Sequence, residues 1–224
     1  MITSRDNERL KLVRKLHDRR WRDKLGLLVA EGEDLVEAAG SIEPVELLVA
    51  GETIEPALLA EVSTLAHPPR VIAVFRRDDL PRGARETALA LWHVADPGNV
   101  GTLLRSADAF GAGVALSPGC ADPTGPKALR ASMGAVFRVP TGSFDDAPGR
   151  RIALVPRGGT PLPEVDLEGP VVFVLGAERE GLPAEVLARC AERASIPQHG
   201  DAESLNVAMA GTIALYELSR RPRS

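Results

Sequence analysis

The chain has 224 residues, of which 44% are hydrophobic and 26% are charged, and its formal net charge at pH 7 is −4. This composition favours one or two globular domains, and no run approaches the roughly 18 apolar residues of a membrane span. The N-terminus lacks the apolar region of a signal peptide, so we expect a soluble, cytoplasmic protein. Cys120 and Cys190 lie far apart, and we expect neither a disulfide framework nor a metal site.

Positive charge is concentrated at the N-terminus. Residues 1–25 contain nine basic and four acidic residues, which leaves +5 there and −9 over the rest of the chain. A basic segment on an acidic body is typical of proteins that bind a polyanion such as a nucleic acid, although a solvated helix face would have the same composition. The cations that we assign to such binding are Arg14, Lys15, Arg19 and Arg20.

The first 80 residues predict a small α/β domain. A first helix is predicted over Asn7 to Arg22, because apolar residues recur there at helical spacing. A second helix from Glu33 to Ala39 would end at Gly40, since glycine accepts the left-handed backbone that often closes a helix. The predicted strands, each a short apolar run, are Leu27–Ala30, Leu47–Ala50 and Val71–Phe75.

From residue 88 onward, strands alternate with helices, which is typical of a parallel α/β sheet. The charged segment from Arg76 to Glu86 contains Pro and Gly and predicts a linker, so we place domains at 1–80 and 88–224 with residues 81–87 between them. The predicted strands are Ala88–Val94, Gly113–Leu116, Arg151–Val155, Val171–Leu175 and Ala194–Ile196. The predicted helices are Val100–Phe110, Lys127–Met133, Ala184–Cys190 and Leu205–Leu218.

Three loops that each follow a predicted strand are rich in Gly, Asn, Ser and acidic residues. They span 96–101, 176–182 and 196–206. Because open parallel sheets bind ligands beyond the carboxyl ends of their strands, we expect the three loops to converge. The chain contains neither a phosphate-binding loop nor a GxGxxG motif, which argues against a nucleotide-binding dehydrogenase.

These loops and the helices beside them resemble the three ordered motifs of the SpoU/TrmH family of RNA ribose methyltransferases. The matching segments are DPGNVGTLLRSADAFG at 96–111, VLGAEREGL at 174–182 and IPQHGDAESLNVAMAGTIALYE at 196–217. The resemblance implies a parallel-sheet α/β catalytic domain with a C-terminal trefoil knot, a homodimer, and methyl transfer from S-adenosyl-L-methionine to a ribose 2′-hydroxyl without a metal.

The N-terminal half has a resemblance of its own. The segment EGEDLVEAAG at 31–40 is similar to part of the small α/β ribosomal-protein-like substrate-binding domain of that family. This similarity favours large-subunit ribosomal RNA over transfer RNA as the substrate, and it leaves both open. An RNA-binding protein that has lost catalysis is a further alternative, motivated by the basic N-terminus.

The resemblance also implies a role for individual residues. The catalytic residues would be Arg105, Asn99, Glu178, Ser204 and Asn206, and the cofactor-binding residues would be Leu175, Gly176, Ile196 and Leu205. On the predicted helix, Arg105 lies nearly opposite the apolar stripe and faces away from the core, as a solvated cation also would. Asn99 and Ser204 stand where helix N-caps are expected, and core packing would equally explain Ile196 and Leu205.

The intact motif residues argue against a catalytically silent protein. In the family, proposals cast the arginine that matches Arg105 as a base, but a guanidinium stays protonated in proteins. We therefore interpret Arg105 as stabilising the developing alkoxide. Arg179 is a departure, because family members usually have a small residue there, and this extra cation could contact an RNA phosphate.

Overall fold

The structure is a computed structural model that describes residues 1–200 and 203–221. Its helices are α1 (Glu8–Leu16), α2 (Arg19–Leu25), α3 (Glu33–Ala38), α4 (Pro56–Val62), α5 (Pro97–Phe110), α6 (Pro126–Ser132), α7 (Ala184–Leu187) and α8 (Val207–Ser219). Its strands are β1 (Leu27–Glu31), β2 (Glu46–Val49), β3 (Val71–Arg76), β4 (Ala88–Leu91), β5 (Gly113–Leu116), β6 (Thr141–Ser143), β7 (Arg150–Leu154), β8 (Thr160–Pro161), β9 (Val171–Leu175) and β10 (Glu192–Ser195).

The single N-terminal helix predicted over Asn7 to Arg22 is wrong, because the structure has two helices, α1 and α2, in its place. Asp18 has extended backbone angles, and its carboxylate accepts a hydrogen bond of 2.8 Å from the backbone N–H of Arg20. This capping bond starts a new helix. The chain therefore bends between two basic helices.

The first sheet is antiparallel and has the strand order β1-β3-β2. Helices α1 and α4 cover one of its faces with buried leucines and valines. Helix α4 was not predicted from the sequence. The other face packs against α3 and against α6 of the C-terminal half, so the two halves of the chain share a layer of core.

The second sheet has the strand order β6-β5-β4-β9-β7-β10-β8, and each neighbouring pair is parallel. The prediction of a parallel α/β sheet from residue 88 onward is therefore confirmed. Strand β9 is buried along its whole length between β4 and β7, as its unbroken apolar sequence predicts. Helices α5 and α8 pack on one face of this sheet, and α7 packs on the other.

Two features of the second sheet were not predicted from the sequence. Strands β6 and β8 contain three and two residues, too few for a periodic pattern. Residues 81–83, in the predicted linker, lie along β6, where the N–H of Gly83 donates to the Thr141 carbonyl (3.2 Å). Within residues 1–200 and 203–221, no helix combines the length and apolarity needed to cross a membrane.

Candidate active site

The start of α5 lies at the carboxyl end of β4 and carries the first motif. Asp96 caps this helix, since its Oδ1 accepts a hydrogen bond of 3.0 Å from the backbone N–H of Asn99. Pro97 occupies the first helical position, where its missing N–H leaves no donor unpaired. The interpretation of Asn99 as the N-cap is therefore wrong, and its side chain is left for contacts outside the helix.

A chain of side-chain hydrogen bonds joins the three motifs. The Nδ2 of Asn206 donates to the Oδ1 of Asn99 at 3.0 Å, and the Nδ2 of Asn99 donates to the Oε1 of Glu178 at 2.5 Å. Asn206 begins α8, and Glu178 lies in the loop after β9. The structure thus brings together three of the five residues assigned to catalysis from the sequence.

The cap of α8 sets the direction of this chain. The Oδ1 of Asn206 accepts hydrogen bonds from the backbone N–H groups of Ala208 (2.9 Å) and Met209 (3.3 Å). Because the oxygen is engaged there, the amide NH₂ group must point to the oxygen of Asn99, whose own NH₂ group then faces the Glu178 carboxylate. The interpretation of Ser204 as the N-cap is wrong, and Ser204 is exposed beside the cap.

Arg105 lies on the exposed side of α5, six residues after Asn99. Among residues 1–200 and 203–221, its guanidinium takes part in no hydrogen bond or ion pair. The structure therefore does not join Arg105 directly to the hydrogen bonds of Asn206, Asn99 and Glu178. The opposite face of α5 is buried in the core, as the apolar stripe predicts. The guanidinium of Arg105 therefore lies outside the core, where its N–H groups can donate hydrogen bonds to an anionic or polar group of a substrate.

Asp96 ties α5 to the helix that follows β5. Its Oδ2 accepts a hydrogen bond from the Nζ of Lys127 at 2.9 Å. This bond, with the backbone N–H of Asn99, lowers the pKa of the Asp96 carboxyl below its usual value. Sequence reasoning missed this pair, because the two residues lie far apart in the chain.

A second missed contact joins α5 to α8. The Thr212 hydroxyl donates to the Ala208 carbonyl at 2.7 Å, so the Ser106 hydroxyl, 2.6 Å from the Thr212 oxygen, is the donor of that bond. Both are polar residues on helix faces that are otherwise apolar, which is the signal that could have identified them. The contact holds the two motif-bearing helices in a fixed register.

The residues assigned to cofactor binding lie at strand ends and loop ends. Leu175 is buried at the end of β9, and Gly176 opens a tight loop in which a Cβ would lie 2.3 Å from the backbone of Gly181. Ile196 directly follows β10, Leu205 precedes α8, and both are half-buried. Apolar side chains and a closely approaching backbone at these positions suit an adenosine and an aliphatic chain. Asp201 and Ala202, in the same loop, lie outside the described residues.

The basic N-terminal face is formed by α1 and α2. Its four assigned cations, Arg14, Lys15, Arg19 and Arg20, are all exposed. Lys15 Nζ also lies 5.1 Å from the centroid of the Trp21 ring. In the described parts of the chain, no hydrogen bond or ion pair links these cations to the asparagine chain, and no group of three or more His, Cys, Asp or Glu residues is arranged to hold a metal.

Comparison with known proteins agrees with this geometry. Residues 86–216 match the sequence model of the SpoU rRNA Methylase family. An uncharacterized tRNA/rRNA methyltransferase of Synechocystis is 33% identical and covers 98% of this chain and 93% of its own length. A 23S rRNA guanosine 2′-O-methyltransferase of Bacillus subtilis is 32% identical over 97% of this chain and 98% of its own length. An AdoMet-bound rRNA methyltransferase from Sinorhizobium meliloti has a similar fold, with a TM-score of 0.86, 30% identity and coverage of 98% and 97%.

Proposed function

The chain belongs to the SpoU rRNA Methylase family, whose members are RNA methyltransferases that use S-adenosyl-L-methionine, and from that premise we propose that it methylates a ribose 2′-hydroxyl of large-subunit ribosomal RNA in the cytoplasm. The observation that carries the proposal is the hydrogen-bonded set of Asn206, Asn99 and Glu178, which joins the three motif segments beside the helix that presents Arg105. Relatives from Bacillus subtilis and Streptomyces viridochromogenes are named as 23S rRNA 2′-O-methyltransferases, which supports the choice of ribosomal over transfer RNA.

Arg105 would act on the ribose oxygen. S-adenosyl-L-methionine, when bound, would supply the methyl group of its sulfonium to the ribose oxygen, with the thioether S-adenosyl-L-homocysteine as leaving group and the hydroxyl proton passing to water. The guanidinium of Arg105 would donate hydrogen bonds to the alkoxide that develops on this oxygen and to an adjacent phosphate, since it stays protonated and cannot serve as a base. Asn99, Glu178, Ser204 and Asn206 would orient the substrate and the motif loops around it.

The cofactor would lie against Leu175, Gly176, Ile196 and Leu205. Gly176 permits the tight loop that returns to Gly181, and the half-buried Ile196 and Leu205 offer apolar surface on which an adenine ring can pack. These side chains would exclude water from the site, and the lower dielectric constant would strengthen the electrostatic contacts of Arg105.

Mapping of ribose methylation tests the proposed substrate directly. Total RNA from cells with and without the gene should differ at one position of large-subunit ribosomal RNA, and the purified protein should restore that methyl group on unmethylated RNA. A position found in transfer RNA would overturn the choice of substrate. If neither RNA loses a methyl group when the gene is absent, the result would favour an RNA-binding protein without catalytic activity.

The basic face of α1 and α2 should supply salt-dependent affinity for RNA. Replacing Arg14, Lys15, Arg19 and Arg20 together by Ala should weaken RNA binding. It should also reduce the magnitude of the slope of log affinity against log salt concentration by roughly 3, because each phosphate contact contributes about 0.7 to 0.9 to that slope. Binding titrations over a range of salt concentrations measure both quantities. Affinity for S-adenosyl-L-methionine should not change.

A matched control separates this face from general charge. Four exposed cations elsewhere, Arg70, Arg157, Arg189 and Arg193, can be replaced by Ala with the same change in net charge. If both fourfold variants flatten the salt slope equally, α1 and α2 are only a solvated basic face.

We further propose a homodimer formed through α8 and α5. Met209, Ile213 and Tyr216 are 62%, 38% and 57% exposed and lie along one face of α8, where Tyr216 meets Phe110 of α5 with ring centroids 6.5 Å apart. An apolar helix face of this kind suits a self-complementary interface. Ile213→Asp should therefore convert a dimer into a monomer in light scattering, whereas Leu47→Asp, at a leucine of similar exposure on β2, should not. A monomeric wild-type protein at micromolar concentration would contradict the dimer.

The trefoil knot and the domain division also stay proposals. The order of the second sheet supports the knot, because β9 is inserted between β4 and β7 and the chain then continues to α8, which packs on α5 and β9. A crystal structure in which the C-terminal segment can be withdrawn without passing through a loop would contradict it. We assign residues 1–80 to RNA binding and residues 88–224 to methyl transfer, with residues 81–87 as the connection.

A further inference from the structure

One cation of the basic N-terminal helices is buried. Arg22 of α2 is only 4% exposed, and its Nε and Nη2 donate to the Oδ2 of Asp122 at 2.9 and 2.8 Å. Its Nη1 donates to the carbonyl groups of Leu16 and His17, each at 2.9 Å, at the end of α1. Arg22 thus contacts protein on every side, whereas its neighbours face solvent.

Asp122 lies in the other half of the chain, in the loop between β5 and α6. Burial alone would raise the pKa of its carboxyl, but hydrogen bonds from Thr124 and from Arg22, with the charge of Arg22, lower the pKa below its usual value. Its Oδ1 accepts from the N–H and the hydroxyl of Thr124 at 2.9 and 2.6 Å. Both members of this buried ion pair make several hydrogen bonds, four from the guanidinium of Arg22 and four to the carboxylate of Asp122, so their orientation is strongly specified.

Apolar packing is a second contact between the two halves of the chain. Phe75 of β3 meets Phe137 edge to face, with ring centroids 5.2 Å apart. Gly134 has a φ of +76°, and a Cβ there would lie 2.2 Å from the Cβ of Ala38. The first sheet and the segment after α6 are therefore in close contact over a buried surface.

Helix α6 carries this contact to the candidate active site. It packs against α5 at Gly101, where a Cβ would lie 2.4 Å from the carbonyl oxygen of Ala128. Its Lys127 binds Asp96, which caps the helix of Asn99 and Arg105. A continuous series of contacts thus connects α2, the Asp122 loop, α6 and α5, with the ion pair of Arg22 and the packing at Gly101 buried and the bond of Lys127 to Asp96 exposed.

We propose that Arg22 is a positioning residue, which together with Asp122 fixes the distance and angle between the basic face of α1 and α2 and the reacting site on α5. The protein then preferentially methylates a folded RNA in which a phosphate cluster and the target ribose lie at that fixed spacing. An unstructured strand has no fixed spacing, so the rigid connection does not raise its rate of methylation. This inference rests on the proposed binding of RNA by the basic face.

The test compares two RNAs with two variants. Arg22→Lys keeps the positive charge but loses the planar fork, and Asp122→Asn alters the partner in the other half of the chain. The RNAs are a folded transcript of unmethylated large-subunit ribosomal RNA and a short oligonucleotide around the methylated nucleotide. With the transcript, we expect kcat to fall by about 10- to 100-fold in both variants, since a misplacement of about 1 Å can cost 100-fold. Transcript affinity, its salt slope and kcat/KM for the oligonucleotide should stay at wild-type values.

Three outcomes decide the inference. An equal loss on transcript and oligonucleotide overturns it, because partial unfolding lowers both activities of one preparation together and leaves their ratio unchanged. A loss for Arg22→Lys without a loss for Asp122→Asn also overturns it, since Arg22 would then act on RNA itself. Adding Arg22→Lys to the fourfold Ala variant of α1 and α2 should cause no further loss, and additive losses would contradict the coupling.

The design keeps the two proposals apart. If the fourfold variant alone binds RNA like the wild type, the proposed function of the basic face fails. If that variant behaves as expected but the two-RNA ratio stays constant in Arg22→Lys and Asp122→Asn, only the positioning role fails.

Discussion

Arg105→Ala is expected to lower the rate of methyl transfer by on the order of 10²- to 10³-fold, the usual effect of removing one charge-stabilising group from an active site. Its side chain is exposed on α5, outside the core, so the fold should not change. Affinity for S-adenosyl-L-methionine should stay near the wild-type value, because Arg105 is assigned to the ribose oxygen. Single-turnover assays give the rate, and calorimetric titration gives the affinity.

Two variants control this result. Arg105→Lys retains the charge but not the fork of donors, so it should recover only part of the lost rate. Leu205→Asp should have the opposite pattern and weaken cofactor binding first, because it places an unpaired charge against an apolar pocket. Near-normal turnover of a folded, cofactor-bound Arg105→Ala protein would refute the catalytic assignment.

The sequence predicted the second sheet better than the first helices. Strand β9 and helix α5 are long enough for their apolar patterns to be distinctive, and both were found close to their observed bounds. The break between α1 and α2 depends on Asp18, which is compatible with a helix interior by spacing alone. The bend is stabilised by the buried side chain of Arg22, whose partner Asp122 lies 100 residues away and could not be identified from local spacing.

In the candidate site, residue identities could be predicted but their local roles could not. Asp96 and Asn99 are both good N-cap residues, and so are Ser204 and Asn206, which left the start of each helix ambiguous. Pro97 is the residue that resolves the first case, because proline is favoured at the first helical position. The chain of bonds from Asn206 to Glu178 depends on that choice, since the Oδ1 of a capping Asn99 would be engaged by the backbone of α5 and turned away from the Nδ2 of Asn206.

Gly101→Val is expected to lower the free energy of unfolding by about 3 kcal/mol, which for a chain of this size lowers Tm by roughly 6–12 °C. A Cβ at Gly101 would lie 2.4 Å from the carbonyl oxygen of Ala128 and 2.6 Å from the Cβ of Ala131, so α5 and α6 must move apart. The atom that obstructs it belongs to the backbone of a packed helix and cannot rotate away as a side chain would.

Ala109→Val is the matched control for Gly101→Val, because Ala109 is exposed on the same helix and the variant introduces the same β-branched side chain. It should change Tm by only a small fraction of the Gly101→Val effect, as measured by thermal and urea unfolding of both proteins. Separation of α5 from α6 would also strain the bond between Lys127 and Asp96 and disturb the position of Asn99, so Gly101→Val should lose methyl transfer even below its melting temperature. Equal stability of the two variants would mean that the close helix contact at Gly101 is not needed for the fold.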